Sequence, residues 1–356
     1  MEISLLKLQN YRNFAELELI FEPEGALIHG KNGIGKTNLL EAISYFAFGK
    51  SFRTKHDIDL INFSKAFFRL EANFTINGKQ FVFEASADKN IKQIKIDETN
   101  ISKTSELFQY LKIVYFSPQD IRIISGPPAE RRRFFDLAIS QYSFNYLQLL
   151  RKYYRILKQR NALLKSKFNN LEKKTWDEQF IDIACQVIEF RLDYLKKFIP
   201  LLTDTYSQIS NNHEELDVKY KFSFANFYGE NLKDNLRNHL EETEKSEIES
   251  LRSLSGPHLD DIQFSFDLHP ARSFGSQGQQ RSLVIAARLV QANLISKKAK
   301  DTPILMFDDV LADLDKERAL SIIHLLKKKH QIFIATPNVK NYEGFHLQNI
   351  NLEELV

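Results

Sequence analysis

Gly30-Lys31-Asn32-Gly33-Ile34-Gly35-Lys36-Thr37 fits the pattern G-x-x-x-x-G-K-[ST], a spacing of glycines, lysine and hydroxyl that can wrap a polyphosphate. The glycines let backbone N–H groups turn inward around phosphate oxygens. Lys36 can reach the β- and γ-phosphates, and the Thr37 hydroxyl can ligate Mg²⁺. A second chemical stretch is Ile304-Leu305-Met306-Phe307-Asp308-Asp309, four apolar residues followed by two acids. It reads as a buried strand that delivers carboxylates to its carboxyl end, Asp308 to hold the metal and Asp309 to orient and deprotonate an attacking water. The third is Ser273-Phe274-Gly275-Ser276-Gln277-Gly278-Gln279-Gln280-Arg281. Ser276 with Gln279 spells a capping box. Gly278 in the first turn instead suits a close approach of phosphate to the helix start. Both readings stand on sequence alone.

These residues need elements to hold them. Ala26-Leu27-Ile28 before the glycine loop reads as a strand, and Leu39, Leu40, Ile43 and Phe46 after it repeat as a helix. Residues 1–25 read as a β-ribbon turning at Asn10-Tyr11-Arg12-Asn13. Runs at 70–76, 80–85 and 91–96, with Asn77-Gly78 as a hairpin turn, predict a β-rich flap. Lys112–Phe116 is a further strand. From about 129 to 206 the chain has no glycine and a single proline, Pro200, and predicts long helices joined by polar turns. The acidic stretch 241–249 closes this insertion, at the surface by expectation. After Ser255 the pattern returns to strands at 262–266, 304–307 and 331–335, with helices at 276–297 and 316–327. The expected class is α/β, with 1–125 and 255–356 as two halves of one lobe and 126–254 as an inserted helical lobe.

The chain has 356 residues, 43% hydrophobic and 27% charged, enough for a large core and ordinary for a water-soluble protein. No apolar run reaches the length of a membrane span, and the start has no signal-peptide pattern. The one cysteine, Cys185, has no partner for a disulfide and no metal-ligand spacing around it, which fits a buried small residue in a reducing cytoplasm. The net charge of +3 hides an asymmetry: residues 131–167 carry +9 and the remainder −6. Such a segment is either a polyanion-binding surface, with Arg131, Arg132, Arg133, Arg151, Lys152 and Arg155 as candidates for DNA, or a solvated helix face.

Taken together, the glycine loop, the Ser-x-Gly-Gln-Gln helix start, the strand to Asp308-Asp309 and Leu311-Ala312-Asp313-Leu314-Asp315 resemble the ATP-binding-cassette head of the SMC-like DNA-repair ATPases. Within that group the similarity is to the RecF family of gap-repair recombination mediators and covers essentially the whole chain. It also runs through Asn10–Asn13, Ser51-Phe52-Arg53-Thr54, Phe116-Ser117-Pro118-Gln119-Asp120, Arg131–Asp136 and Ser255-Gly256-Pro257-His258-Leu259-Asp260-Asp261. The resemblance implies an ABC-type P-loop ATPase head with ATP and Mg²⁺ as ligands. Arg12 and Asn32 then lie beside the phosphates, and Gln119 links metal and water. Ser276, Gly278 and Gln279 complete the site of a second copy, and Asp313 and Asp315 sit at the dimer seam. His258 belongs to a family motif and reads equally as a structural histidine. Leu259 stands where the family usually has Arg. Thr336-Pro337 stands where transporter cassettes place a histidine that senses the γ-phosphate.

The implied function is a cytoplasmic, nucleoid-associated ATPase with weak, DNA-stimulated turnover, in DNA repair, replication and the SOS response. Its ATP-dependent homodimer would clamp double-stranded DNA at gaps or junctions. RecR and RecO would be its partners, and RecA loading its outcome. The alternatives are a transporter nucleotide-binding subunit and an ATP switch that does not hydrolyse.

Overall fold

The computed structural model describes residues 1–355 apart from 167–168, 211–213, 225–230, 300, 311–321, 323–325, 327–328 and 343–346. Asp313, Asp315 and nearly all of the helix expected at 316–327 lie outside the described residues. The chain divides into two compact units, Met1–Asp120 with Ala287–Val356, and Ile121–Ala286. The sequence suggested a boundary near 254. The contacts instead group 255–286 with the preceding helices, because strand pairing and a buried ion pair tie that stretch to them.

In the first unit, β1 (Glu2–Tyr11) and β2 (Phe14–Ile20) form the expected ribbon. β3 (Gly25–His29) leads into the glycine loop, and the loop helix Lys36–Phe48 follows. β4 (Phe67–Ile76), β5 (Lys79–Asp88), β6 (Lys92–Ile96) and β7 (Thr99–Asn100) complete the flap. Asn77 and Gly78 join β4 to β5 with φ of 49° and 73°, the double left-handed turn that matches strand twist. The six strands run in the order β2-β1-β4-β5-β6-β7, each pair antiparallel.

A second sheet is made by β3 with β8 (Ile113–Phe116), and further along the chain the strands numbered β12 (Ile304–Asp308), β13 (Ile332–Thr336) and β14 (Gln348–Asn351), in the order β14-β3-β13-β12-β8. All its pairs are parallel. β12 and β13 are buried along their whole length, as strands covered on both faces must be. The loop helix packs on β8, β12 and β13 and also on β5. Its Leu39, Leu40, Ile43 and Phe46 are fully buried in the core shared with Phe74 and Phe83 of the flap.

The second unit is mainly helical. Pro128–Tyr142, Phe144–Leu163 and Asn170–Ser210 are its long helices, followed by Leu232–Glu242 and Glu244–Ser250. The helix Asn170–Ser210 continues through Pro200, the single proline of the stretch expected to form long helices. One missing helical hydrogen bond is outweighed there by buried Tyr194, Leu195, Phe198, Leu202 and Tyr206 on either side. A small antiparallel sheet pairs β10 (Asp261–Phe266) with β9 (Leu216–Lys221) and β11 (His269–Pro270).

Two buried arginines organise this unit. Arg191, 1% exposed, donates to Asp136 at 2.8 Å, to Tyr146 at 3.1 Å and to the carbonyl of Pro257 at 2.6 Å. Arg160 donates to Asp177, Glu247 and Ser253. Glu247 is fully buried, so the acidic stretch expected at the surface puts one of its carboxylates inside, against Arg160. Cys185 is buried as expected, and burial pushes its thiol up to about 12. Among the described residues no helix is long and apolar enough to cross a membrane.

Candidate nucleotide site and basic surface

The parallel sheet sets the nucleotide site. Its strands all point the same way, so the residues that follow β3, β8, β12 and β13 gather at one edge, where ligands of open parallel sheets bind. The glycine loop leaves β3 at this edge. Gly35 sits at φ 117°, and a Cβ there would fall 2.7 Å from Asn13 Nδ2 and 2.8 Å from the Phe14 ring, so only glycine fits. Asn13 closes that side: its amide donates to the carbonyl of Ile34 at 2.8 Å and accepts from Asn38 at 2.7 Å. Lys31, Asn32 and Gly33 are exposed, whereas Lys36 is 5% exposed.

Lys36 Nζ donates to the loop carbonyls of Gly30 at 2.8 Å and Lys31 at 3.0 Å. The ammonium is thereby held inside the loop, where phosphate oxygens can replace the carbonyls. Thr37 Oγ1 donates to Asp308 Oδ1 at 3.0 Å, across 271 residues of sequence. Asp308 Oδ2 accepts from the Tyr115 hydroxyl at 2.6 Å. Burial and Asp308 itself push the Tyr115 phenol well above its usual range, so it acts as a neutral donor that fixes the carboxylate. A hydroxyl and a carboxylate converging from two elements are hard oxygen donors, which fits Mg²⁺ with its remaining shell from water and phosphate. Among the described residues no group of three or more His, Cys, Asp or Glu could hold a metal without such help.

Asp309 follows at φ 55°, a left-handed conformation that Asp tolerates. Its N–H donates to the carbonyl of Ala335 at 3.0 Å, which fixes the backbone at the strand end. Gln119 lies in the turn Pro118–Ile121 after β8 with its side chain exposed. The adjacent Asp120 pins that turn, accepting from Arg288 at 2.7 and 3.0 Å and from the Ser117 N–H at 3.1 Å.

Arg12 is tied to the loop helix and to the turn at Asp59. Its guanidinium makes a two-point bond to Glu41 at 2.9 and 3.0 Å and a third to the Asp59 carbonyl. Glu41 is fully buried on the loop helix and also accepts from Ser51 at 2.5 Å. Arg12 therefore braces the loop helix through Glu41. Glu41, Tyr115, Arg288 and Asn13 escaped sequence reading as site-building residues. Their only signal is a partner distant in the chain.

In the second unit, Ser276 N donates to Gln279 Oε1 at 2.5 Å and Gln279 N to Ser276 Oγ at 3.2 Å. The capping box is formed at the head of the helix Gln277–Lys298. Ser276 and Gly278 are exposed, and around a Cβ at Gly278 the nearest atom within 4 Å would be Ser276 Oγ at 4.0 Å. The helix start can thus be capped by its own side chains and remain open to a phosphate. His258 is a structural histidine: its Nδ1 meets the Tyr153 hydroxyl at 2.5 Å, and burial lowers its pKa to about 4.

The basic segment separates into two sets. Arg131 is 5% exposed and bound to Asp261 at 2.7 and 3.0 Å, with further bonds to the carbonyls of Gly126 and Ile124. Arg132 is half-buried and donates to the Asp260 carbonyl at 2.7 Å. As a candidate DNA contact Arg131 is corrected, because its charge is neutralised inside the unit; so is that of Arg160. Arg133, Arg151, Lys152, Arg155 and Lys158 are exposed, and the last four lie along one helix, Phe144–Leu163.

Comparison with known proteins shows the family of the chain. The RecF/RecN/SMC N terminal domain family matches residues 2–350. The DNA replication and repair protein RecF of Desulfitobacterium hafniense is 36% identical over 343 residues, covering 94% of this chain and 93% of its own. That of Streptococcus pneumoniae is 33% identical over 352 residues, covering 98% and 95%. A solved structure of the recombination mediator protein RecF with ATP, from the RecFOR pathway, superposes with a TM-score of 0.87 at 28% identity, covering 94% of this chain and 92% of the other. An Smc head domain from Pyrococcus furiosus shares the fold, with a TM-score of 0.55 at 17% identity.

Proposed function

We propose a function from one premise: the chain belongs to the RecF/RecN/SMC N terminal domain family and is similar along its length to the RecF recombination mediators. It is an ATP-binding and ATP-hydrolysing mediator in DNA replication and repair. The observation that carries the nucleotide site is the meeting of Thr37 Oγ1 and Asp308 Oδ1 at 3.0 Å beside a loop that already encloses Lys36.

ATP seats its phosphates on the N–H groups of Gly33 to Thr37 and on the head of the loop helix. Lys36 leaves the carbonyls of Gly30 and Lys31 for the β- and γ-phosphates. Thr37 and Asp308, with Gln119 as the resemblance implies, would hold Mg²⁺, which when bound neutralises charge on the β- and γ-oxygens. Asp309 takes a proton from the water that attacks the γ-phosphorus, and the bond to the ADP oxygen breaks. Chemistry of this kind is positioning plus charge neutralisation. Ser276, Gly278 and Gln279 of a second copy complete the charge neutralisation, so ATP assembles a homodimer and its slow, DNA-stimulated hydrolysis releases it. The exposed cations Arg133, Arg151, Lys152 and Arg155 meet DNA phosphates, by charge more than by sequence. RecR and RecO are the protein partners of this reading and RecA loading at gaps its outcome. The protein is then cytoplasmic and nucleoid-associated.

Two variants test the site. Lys36→Ala is expected to lose ATP binding. Asp309→Asn is expected to keep binding and assembly while hydrolysis falls about 100-fold, the scale of one general base. Wild-type affinity in the first, or a wild-type rate in the second, removes the corresponding assignment.

A further inference from the structure

One contact at the phosphate loop is not explained by nucleotide chemistry. The loop is held from outside by the segment that follows β14. β14 pairs in parallel with β3, Asn351 opposite His29, and Leu352 beyond it is fully buried in the core. The Asn351 side chain accepts the Glu353 N–H at 3.1 Å and donates to Glu354 at 2.7 Å. The turn Leu352–Glu354 is thus set by its own cap.

That turn brings the Glu353 carboxylate onto one loop residue twice. Oε1 accepts the Lys31 backbone N–H at 2.8 Å, and Oε2 lies 3.5 Å from Lys31 Nζ. The Lys31 N–H belongs to the peptide whose carbonyl is that of Gly30, the carbonyl that accepts from Lys36 Nζ at 2.8 Å. A single peptide plane is therefore gripped on both edges, by a carboxylate at its N–H and by the phosphate-binding ammonium at its oxygen. Gly30 makes room for the grip: a Cβ there would come 3.4 Å from Glu353 Cγ and 3.2 Å from Ile34 Cγ2.

We propose that Glu353 is a positioning residue for nucleotide binding, fixing the Gly30–Lys31 peptide and, through it, the resting place of Lys36. An N–H donated to a carboxylate makes a charge-assisted bond, which holds the peptide plane in one orientation within the loop. The loop then waits in the shape that phosphate needs, and ATP binding spends less on ordering it. Glu353 does not touch the reacting atoms, so its loss weakens the ground state and transition state alike: KM rises and kcat stays. The inference rests on the nucleotide site described above.

The test measures affinity for a fluorescent ATP analogue, steady-state hydrolysis and Tm in the full chain. Glu353→Ala is expected to weaken binding about tenfold with kcat and Tm unchanged. Glu353→Gln keeps an oxygen that can accept the Lys31 N–H and is expected to stay within about twofold of wild type. Wild-type affinity in Glu353→Ala overturns the proposal. So does an equal loss in Ala and Gln variants, which would assign the effect to the Lys31 ammonium and not the peptide. A Tm drop in Glu353→Ala as large as that of Leu352→Ala would reduce the residue to packing. Lys36→Ala is run beside them. If that variant still binds ATP, the nucleotide site itself is misassigned. If it loses ATP while Glu353→Ala binds normally, only the role of Glu353 fails.

Discussion

At the scale of single residues, His258 shows what burial does to a group whose type invites a catalytic role. Burial is the first cause of its lowered pKa, and Arg132, Arg160 and Arg191 oppose its protonation further, while a bond at Ser253 works the other way. The folded state refuses a proton that the unfolded chain takes up below pH 6.5. Stability from this group is full above pH 6.5 and is lost as pH falls toward about 4. Over that window the wild type is expected to lose about 3 kcal/mol more than His258→Gln, read by denaturant unfolding at each pH. Parallel declines would remove His258 from the acid sensitivity. The phosphate-loop residues and Asp308 were legible in the sequence, because their spacing is dictated by a triphosphate and not by the rest of the fold. Glu41 and Tyr115 were not, because a lone Glu on a helix or Tyr in a strand means nothing until Arg12 or Asp308 arrives from far along the chain.

At the scale of elements, the hairpin at Asn77-Gly78 and the strand to Asp308 were readable because local chemistry decides them. So was the helical character of 170–206, which lacks glycine and whose buried residues on both sides of Pro200 carry the helix through it. Net charge along the chain is a coarser signal. It located a basic segment but could not separate Arg131, which faces Asp261 inside, from Arg151 and Arg155, which face out on the helix Phe144–Leu163. The two kinds of cation should behave oppositely. Arg131→Ala leaves the Asp261 carboxylate without its cation, and about 3 kcal/mol of stability is expected to go with it. The double change Lys152→Ala with Arg155→Ala should leave Tm within about a degree and flatten the slope of log K for duplex DNA against log salt by about 2. An unchanged slope takes that helix face off the DNA surface.

At the scale of the whole molecule, the nucleotide loop and Asp308 lie in one compact unit, while Ser276, Gly278 and Gln279 lie in the other. In the proposed reading those signature residues serve the triphosphate of a second copy, so nucleotide becomes part of the contact between copies. Three measurable properties then move together. Light scattering should report one chain without nucleotide or with ADP and two with ATP, and Asp309→Asn should hold the two-chain state longer. Pairing doubles the number of exposed cations available to one duplex, so the salt slope of DNA binding should be steeper with ATP than with ADP. Gly278→Val should abolish pairing and that steepening while the single chain still binds ATP, because the substitution fills the approach to the helix start and leaves the phosphate loop untouched. A single chain at saturating ATP with normal hydrolysis would mean that one copy carries the whole active centre, and the signature helix would need another role.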